Sequence, residues 1–352
     1  MFVNGLGTAN PPHRYTKSAC WQAFKASDWF GALDRRSHMI AEAVLTRDNG
    51  IETRALSVNS LADVFQIDPD TLHARFLDHA PTLATTAGKA ALDQAGLDAT
   101  AIDAIVISTC TGYLCPGLTS YVIERLALRP NVLAFDMVGQ GCAAALPNWR
   151  LSESLLASAS CLHVLSICVE VSSAAMYLDN DPGVLVSACL FGDGAGAAVL
   201  SRRPNPHLRN IEWKHYGSLI NPDQRDALLF QTRGGMLRNV LTKPVPQLAA
   251  DYAKQVMFTV LHSGNLAPAD ISTWIMHAGG RDVLNALQQK LELASGELDY
   301  SAAMLREYGN MSSAFVYFVL QAALADSAPG GWWWMSSFGA GFCCHGALLQ
   351  VD

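Results

Sequence analysis

Three segments of this chain recur, in the same order, further along it. AGLDATAIDAIVIST (95–109) is matched by GNLAPADISTWIMHA (264–278), GQGCAAA (139–145) by EYGNMSSA (307–314), and FGDGAGAAVL (191–200) by FGAGFCCHGALL (338–349). One such pair is within reach of chance; three in order mark a duplicated core, which restricts the fold to two copies of one unit. In each copy an Asp-bearing connection leads into a continuous apolar run, AIDAIVIST (101–109) and DISTWIMHA (270–278). Runs without polar alternation suit strands buried on both faces. Helical patterns lie between them, at Leu83–Gln94 and Leu248–Ser263, the second closed by Gly264. Strands alternating with helices predict an α/β layered fold. The copies join near SRRPNPHLRN (201–210), which has two prolines and no apolar periodicity. The division expected is 1–205 and 206–352.

Composition narrows the function classes. Half of the 352 residues are hydrophobic and 16% are charged, so the chain can bury a large core and is not a disordered one. With 24 basic against 31 acidic residues and no Lys/Arg run, it lacks the basic face that a nucleic-acid partner requires. Nine cysteines, an odd number at irregular spacing, argue against a disulfide framework. The start, MFVNGLGTANPPHRY, has no basic segment followed by an apolar one. The most apolar stretch, Leu155–Leu178, contains His163, Glu170 and several serines, which predicts buried helix and strand and not a membrane span. A reducing cytoplasm is the expected location.

The duplication also bears on chemistry. It places Cys142 and Asn310 at equivalent points, each after a glycine and before small residues leading into a helix. If both points face the pseudo-twofold axis, they share one pocket. A thiol attacks as thiolate, and a helix N-terminus or a nearby imidazole would lower its pKa; the alternative is a buried structural cysteine. His277 ends the second buried run and precedes Gly-Gly, a junction that none of the other nine histidines shares. The C-terminal end of such a strand faces the crevice where α/β sheets bind ligands, although a lone histidine is more often a satisfied core residue. Asn310 offers an uncharged donor to a thioester carbonyl, or a helix cap. FGDGAG and FGAG match no phosphate-binding pattern and read as tight turns. Cys110 with Cys115, and Cys343–Cys344–His345, fit no zinc spacing, so no metal is expected. Trp332–Trp334 reads as strand and interface packing. Arg35, Arg36, Arg47 and Arg54 form the one loosely basic region.

GCAAALPNWRL, MHAGGRDVL, EYGNMSSA, SSFGAGF and the opening GLGTANPP resemble the motifs of type III polyketide synthases, the chalcone synthase-like branch of the thiolase superfamily. The resemblance runs from about residue 5 to the C-terminus. It implies a thiolase-like duplicated αβαβα five-layer fold, a homodimer, and an acyl-CoA starter and malonyl-CoA as substrates, with no cofactor beyond those coenzyme A thioesters. It implies Cys142 as nucleophile and acyl anchor, with His277 and Asn310 promoting malonyl decarboxylation, and Phe191 as a gate between coenzyme A tunnel and cavity. Cys110, Thr111, Ala175, Gly235, Asn239 and Ser312 fall at substrate-binding positions, and Cys115 where a dimer partner reaches the neighbouring cavity. Arg47, Arg54, Arg281 and Gly279 are the candidates for coenzyme A binding. Cys110 and Ala175 replace threonines of the plant enzymes and Asn239 a phenylalanine, a pattern closer to bacterial enzymes making alkylresorcinols, alkylpyrones or small phenolics. Cys110 and Ala175 are expected to open space for a long acyl starter. Three other readings stay open: a β-ketoacyl synthase III-like condensing enzyme, a Cys-His-Asn thioester hydrolase, and an idle scaffold, the last marked by a Cys142 unreactive toward iodoacetamide at neutral pH.

Overall fold

The computed structural model describes all residues, 1–352. The first half runs β1 (Phe2–Ala9), β2 (Arg14–Thr16), α1 (Lys17–Ala26), α2 (Asp28–Ala32), α3 (Arg35–Thr46), β3 (Thr53–Ala55), α4 (Pro69–Ala95), β4 (Ala104–Ser108), α5 (Leu118–Leu126), β5 (Leu133–Met137), α6 (Ala145–Leu156), β6 (His163–Glu170), α7 (Pro182–Leu190) and β7 (Gly194–Ser201). The second runs β8 (Ile211–Ile220), β9 (Leu228–Arg233), β10 (Met236–Leu241), α8 (Val245–Ser263), β11 (Ile271–Met276), α9 (Arg281–Lys290), α10 (Asp299–Tyr308), α11 (Phe315–Ala325), β12 (Gly331–Gly339) and β13 (Cys343–Val351).

The repeat in sequence is a repeat in topology. The first half orders its strands β1-β7-β6-β4-β5 and the second β8-β13-β12-β11. β1 is antiparallel to β7, β7 to β6, and β6 parallel to β4. In the second half β8 is antiparallel to β13, β13 to β12, and β12 parallel to β11. The two sets meet edge to edge at Phe2↔Glu212, beside which Trp213 N donates to Met1 O at 2.9 Å. The first half alone has a further strand, β5, on its outer edge.

Helices α6 and α11 pack against strands of both halves, α4 and α5 cover the outside of the first sheet and α8 the outside of the second. The result is the layered αβαβα arrangement. α4 beds closely on β1, since a Cβ at Gly7 would stand 2.1 Å from Ala87 O. This helix has 27 residues and starts well before Leu83. Asp68 caps its N-terminus by accepting from Thr71 N, Pro69 follows the cap, and Gly96 ends it in the left-handed region. Pro81 lies buried inside it, a residue that ordinarily ends a helical pattern.

The two central helices are locked together by a buried polar network. Trp149 Nε1 on α6 donates to Tyr317 Oη on α11 at 2.9 Å, and Tyr317 Oη lies 2.9 Å from Ser166 Oγ on β6. Ser166 Oγ in turn donates to Asn148 Oδ1 at 2.8 Å. A fully satisfied buried network specifies one geometry, and here it holds the turns that precede α6 and α11. Trp333 and Trp334 are fully buried in β12, between β11 and β13. They are core residues and not the interface packing expected of the tryptophan run.

Candidate active site

Cys142 lies on a single 3-10 turn, Gly141–Ala143, directly ahead of α6. Gly141 has φ +53° and faces the β12–β13 loop, where an added Cβ would meet Ala340 N at 3.1 Å. A glycine is required by both conditions. Asn310 follows Gly309, also left-handed at φ +73°, and its N–H donates to Leu190 O at 3.0 Å. His277 extends β11 by one residue, its N–H donating to Ser336 O at 2.9 Å. These three turns bring Cys142, His277 and Asn310 onto the lining of one tunnel of about 610 Å³, together with Phe191 and Gly279.

The Asn310 amide is half committed. Its Oδ1 accepts from Ser312 N at 2.8 Å and its Nδ2 donates to Gly279 O at 2.9 Å. An amide nitrogen carries two hydrogens, so one donor remains. Asn310 thus serves as a local cap and still has a hydrogen for a ligand. Ser312 adopts φ +51°, a strained value for a residue with a side chain. The strained turn aims its hydroxyl at Cys142 Sγ, to which it donates at 3.2 Å.

His277 is 1% exposed, and neither ring nitrogen has a protein partner. Phe315 and Phe338 flank it, ring centres 5.4 and 5.0 Å away. Burial in this apolar cage lowers its pKa to about 3. Burial also pushes the Cys142 thiol up to about 12, Ser312 acting in the opposite direction and Glu170 in the same one. The sequence leads one to expect a low-pKa thiolate at a helix N-terminus; burial acts the other way on both groups, favouring the neutral thiol and the neutral imidazole.

Glu170 was not legible as a site residue. It ends β6, is fully buried, and accepts from Cys110 N at 3.0 Å, Thr111 Oγ1 at 2.9 Å and Ser313 Oγ. Ser312 Oγ lies 3.4 Å from it. Burial raises its pKa. The available signal was a single acid closing an otherwise apolar strand, CVEVSS.

Two further spaces lie nearby, a nook that shares Phe191 with the tunnel and a chamber that shares Cys110, Thr111 and Phe230 with the nook. A nook of about 30 Å³ meets Phe191, Cys110, Thr111, Ala175, Asn239 and Ser312. A chamber of about 920 Å³ lies beyond Cys110 and Thr111, between α4, the β9–β10 hairpin with Gly235, and the β12–β13 loop. The nook is too small for an alkyl chain, so Ala175 does not open the space expected of it. Tyr177, Met176 and Phe230 fill that side. Phe230, which faces Asn239 across the hairpin and lines both nook and chamber, was missed.

The basic candidates divide. Arg281 lines the tunnel and pairs with Asp48 at 3.0 Å. Arg36 and Lys243 line it too, without an ion pair. Lys243, on the connection into α8, went unnoticed because it is an isolated lysine. Arg47 is exposed at the end of α3 and off the tunnel. Arg54 is buried and donates to Ala188 O and Phe191 O at 2.8 and 3.0 Å. It braces the Phe191 turn instead of meeting solvent phosphates. Cys115 is exposed and lines none of these spaces in its own chain. No group of His, Cys, Asp or Glu has the arrangement of a metal site, and no helix is long and apolar enough to cross a membrane.

Residues 11–213 match the family described as FAE1/type III polyketide synthase-like protein, and residues 220–350 match the chalcone and stilbene synthase C-terminal domain. A 1,3,6,8-tetrahydroxynaphthalene synthase of Streptomyces peucetius subsp. caesius is 33% identical over 362 residues, covering 99% of this chain and 92% of the relative. The crystal structure of PKS-I from the brown alga Ectocarpus siliculosus superimposes with a TM-score of 0.89 at 25% identity, over 99% of this chain and 98% of that one. The C-terminal type III domain of the Dictyostelium hybrid synthase Steely1 shares the fold, with a TM-score of 0.87 at 24% identity over 99% of both chains. With the duplicated fold, the shared tunnel and these matches together, the chain belongs to the type III polyketide synthase family, acyl-transferring condensing enzymes.

Proposed function

We propose that Cys142, His277 and Asn310 carry out iterative decarboxylative condensation of malonyl-CoA onto a small acyl-CoA starter, and that the chain closes to a phenolic or pyrone product. The observation that carries this reading is the convergence of thiol, unpartnered imidazole and half-free amide on one tunnel.

In the cycle, the Cys142 thiol passes its proton to His277 as sulfur attacks the starter thioester carbonyl. The carbon–sulfur bond to coenzyme A breaks, and coenzyme A leaves with that proton. Malonyl-CoA follows, its thioester oxygen facing His277 and the free Asn310 Nδ2–H. The carboxylate leaves as carbon dioxide, and the electron pair becomes an enolate whose charge those donors stabilise. The enolate carbon attacks the acyl-cysteine carbonyl, Cys142 sulfur departs, and the extended thioester is ready to reload. Neutral resting groups suit this scheme, because the uncharged pair waits without attracting water and charge appears only with substrate bound. The thioester carbonyl is itself the electron sink, so the scheme calls for no cofactor.

Arg36, Lys243 and Arg281 at the tunnel mouth suit the coenzyme A phosphates. The 920 Å³ chamber suits a chain of several ketide units. A polyhydroxylated aromatic product, as the name of the Streptomyces relative indicates for that enzyme, fits the polar and apolar mixture of its walls better than a long alkyl chain. The apolar outer edge strand β5, with Leu133, Phe135 and neighbouring Val138 exposed, supports a homodimer through this edge. Nine unpaired thiols and coenzyme A substrates support a cytoplasmic location. Incubation with malonyl-CoA and a panel of starters, followed by mass spectrometry, is the test. New carbon–carbon bonds from small starters are expected; free acids alone would return the reading to a thioester hydrolase, and activity confined to carrier-bound malonate to a β-ketoacyl synthase.

A further inference from the structure

Three consecutive polar residues, Asp179, Asn180 and Asp181, lead into α7, and each is bonded to a different place in the fold. Asp181 caps α7, its Oδ1 accepting from Gly183 N at 2.8 Å. Its Oδ2 accepts from Arg238 Nη2 at 3.1 Å, and Asp179 Oδ2 accepts from Arg238 Nε at 2.8 Å. Arg238 sits on β10, 8% exposed, and its Nη1 donates to Gln231 Oε1 on β9 at 3.1 Å. Asn180 Oδ1 accepts from Asp34 N at 2.9 Å and from Ser37 Oγ at 2.7 Å, at the start of α3.

The elements tied in this way are walls of the tunnel. α3 gives it Arg36, α7 gives it Gly183 and Leu190, and the segment leaving β10 gives it Leu241 and Lys243. α7 meets β10 with no side chain between them, since a Cβ at Gly183 would stand 2.0 Å from Leu241 O. At the other end of α7, Arg54 donates to Ala188 O and Phe191 O. The helix is therefore fastened by one buried arginine at each end. Without Arg238, two half-buried carboxylates would face β10 with no cation between them. Charge left unpaired in such a place is strongly unfavourable, and moving α7 away from β10 relieves it, which widens the tunnel.

We propose that Arg238 and Asn180 are positioning residues for coenzyme A thioesters, a refinement that rests on the synthase reading above. They hold α7, β10 and α3 at the spacing that grips the coenzyme A arm, although neither lines the tunnel. Their effect falls on the long nucleotide-bearing arm. The reacting thioester at Cys142, His277 and Asn310 does not depend on them.

The test compares malonyl-CoA with the malonyl thioester of N-acetylcysteamine, which keeps the reacting group and lacks the nucleotide. Arg238→Met keeps the apolar stem and removes the charge. It should raise KM for malonyl-CoA about tenfold with kcat held, the result of a displaced wall and not of altered chemistry. The truncated thioester should react as with the parent enzyme. Arg238→Lys, which reaches one carboxylate and not both, should restore part of the loss. Asn180→Ala, at an exposed position, releases α3 alone and should raise the same KM severalfold. An unchanged KM in Arg238→Met overturns the proposal, as does equal loss with both substrates, which marks a damaged fold. If Arg238→Met does not fold, an unchanged KM in Asn180→Ala overturns it alone. Calorimetric binding of coenzyme A itself separates the two readings. Weaker binding by the variants, beside a parent that forms no carbon–carbon bond, would sink the synthase reading and leave the tie standing.

Discussion

The turn that carries Cys142 and the turn that carries Asn310 occupy equivalent places in the two halves, yet they are held differently. The first is a glycine-led 3-10 turn pressed against Ala340, where Ser337 Oγ donates to Ala143 O at 3.1 Å and the Cys142 side chain itself receives only the bond from Ser312. The second is tied by backbone: Asn310 Oδ1 to Ser312 N, Asn310 Nδ2 to Gly279 O, and Asn310 N to Leu190 O. A nucleophile that must form and break a covalent bond each cycle gains from a free side chain. A group that must present one hydrogen to a developing oxyanion gains from being fixed before the charge appears. The duplicated unit supplied two copies of one helix start, and in the function proposed above one serves as the reactive point and the other as the fixed donor.

The largest effect that would sharpen this contrast comes from the free turn. Cys142→Ala should lower condensation by at least about a thousandfold, the scale on which loss of a covalent nucleophile is felt, while release of carbon dioxide from malonyl-CoA continues. Product analysis beside a carbon dioxide assay checks it. Polyketide formed by that variant would refute the assignment. Next comes the tied turn. Asn310→Ala removes an oxyanion donor and should slow decarboxylation itself by about 10²–10³-fold, so the two variants should fail at different steps. Equal loss of decarboxylation in both would erase the division of labour.

A third measurement asks what state the free turn rests in. With the Cys142 thiol pushed up to about 12 and His277 down to about 3, iodoacetamide labelling of Cys142 should climb about tenfold per pH unit from pH 6 to 9 with no plateau. A thiolate–imidazolium pair would plateau near neutrality instead. Slow labelling at neutral pH is thus no mark of an idle scaffold; only absent turnover is. The same two groups contribute to stability with defined signs. The unfolded chain protonates His277 below about 6.5 and the folded one does not, so stability falls as pH drops from there towards 3. The folded chain keeps the Cys142 proton that the unfolded chain releases above about 9, so stability also falls as pH rises from 9 towards 12.

The sequence revealed the duplication, and through it the convergence, because repeats and glycine-led helix starts are local patterns. It revealed β4, β11 and α8 for the same reason. It concealed the long start of α4, where buried Pro81 imitates a break. Arg54 and Arg47 misled because exposure is a tertiary property: one arginine is buried as a backbone brace and the other turned away from the tunnel. The role of Ala175 was misjudged because a small residue leaves space only if its neighbours do, and Phe230 and Tyr177 do not. Glu170 and Lys243 carried no motif at all; only folding places them near the chemistry.

The smallest effect probes the strand of contact between the two turns. Ser312 pairs a strained φ of +51° with a hydroxyl on Cys142 Sγ. The two features separate in variants. Ser312→Ala loses the hydroxyl and keeps the strain, while Ser312→Gly loses both. If the strain exists to aim the hydroxyl, both variants should slow condensation by a similar severalfold, and Ser312→Gly should be more stable than Ser312→Ala by about 1 kcal/mol. Thermal or denaturant unfolding beside single-turnover acyl transfer reads both quantities. If Ser312→Ala kept full acyl transfer, the hydroxyl would not act on the nucleophile, and the strain would belong to the Asn310 tie alone. The rigid turn would then have no hold on the reactive one beyond sharing its tunnel.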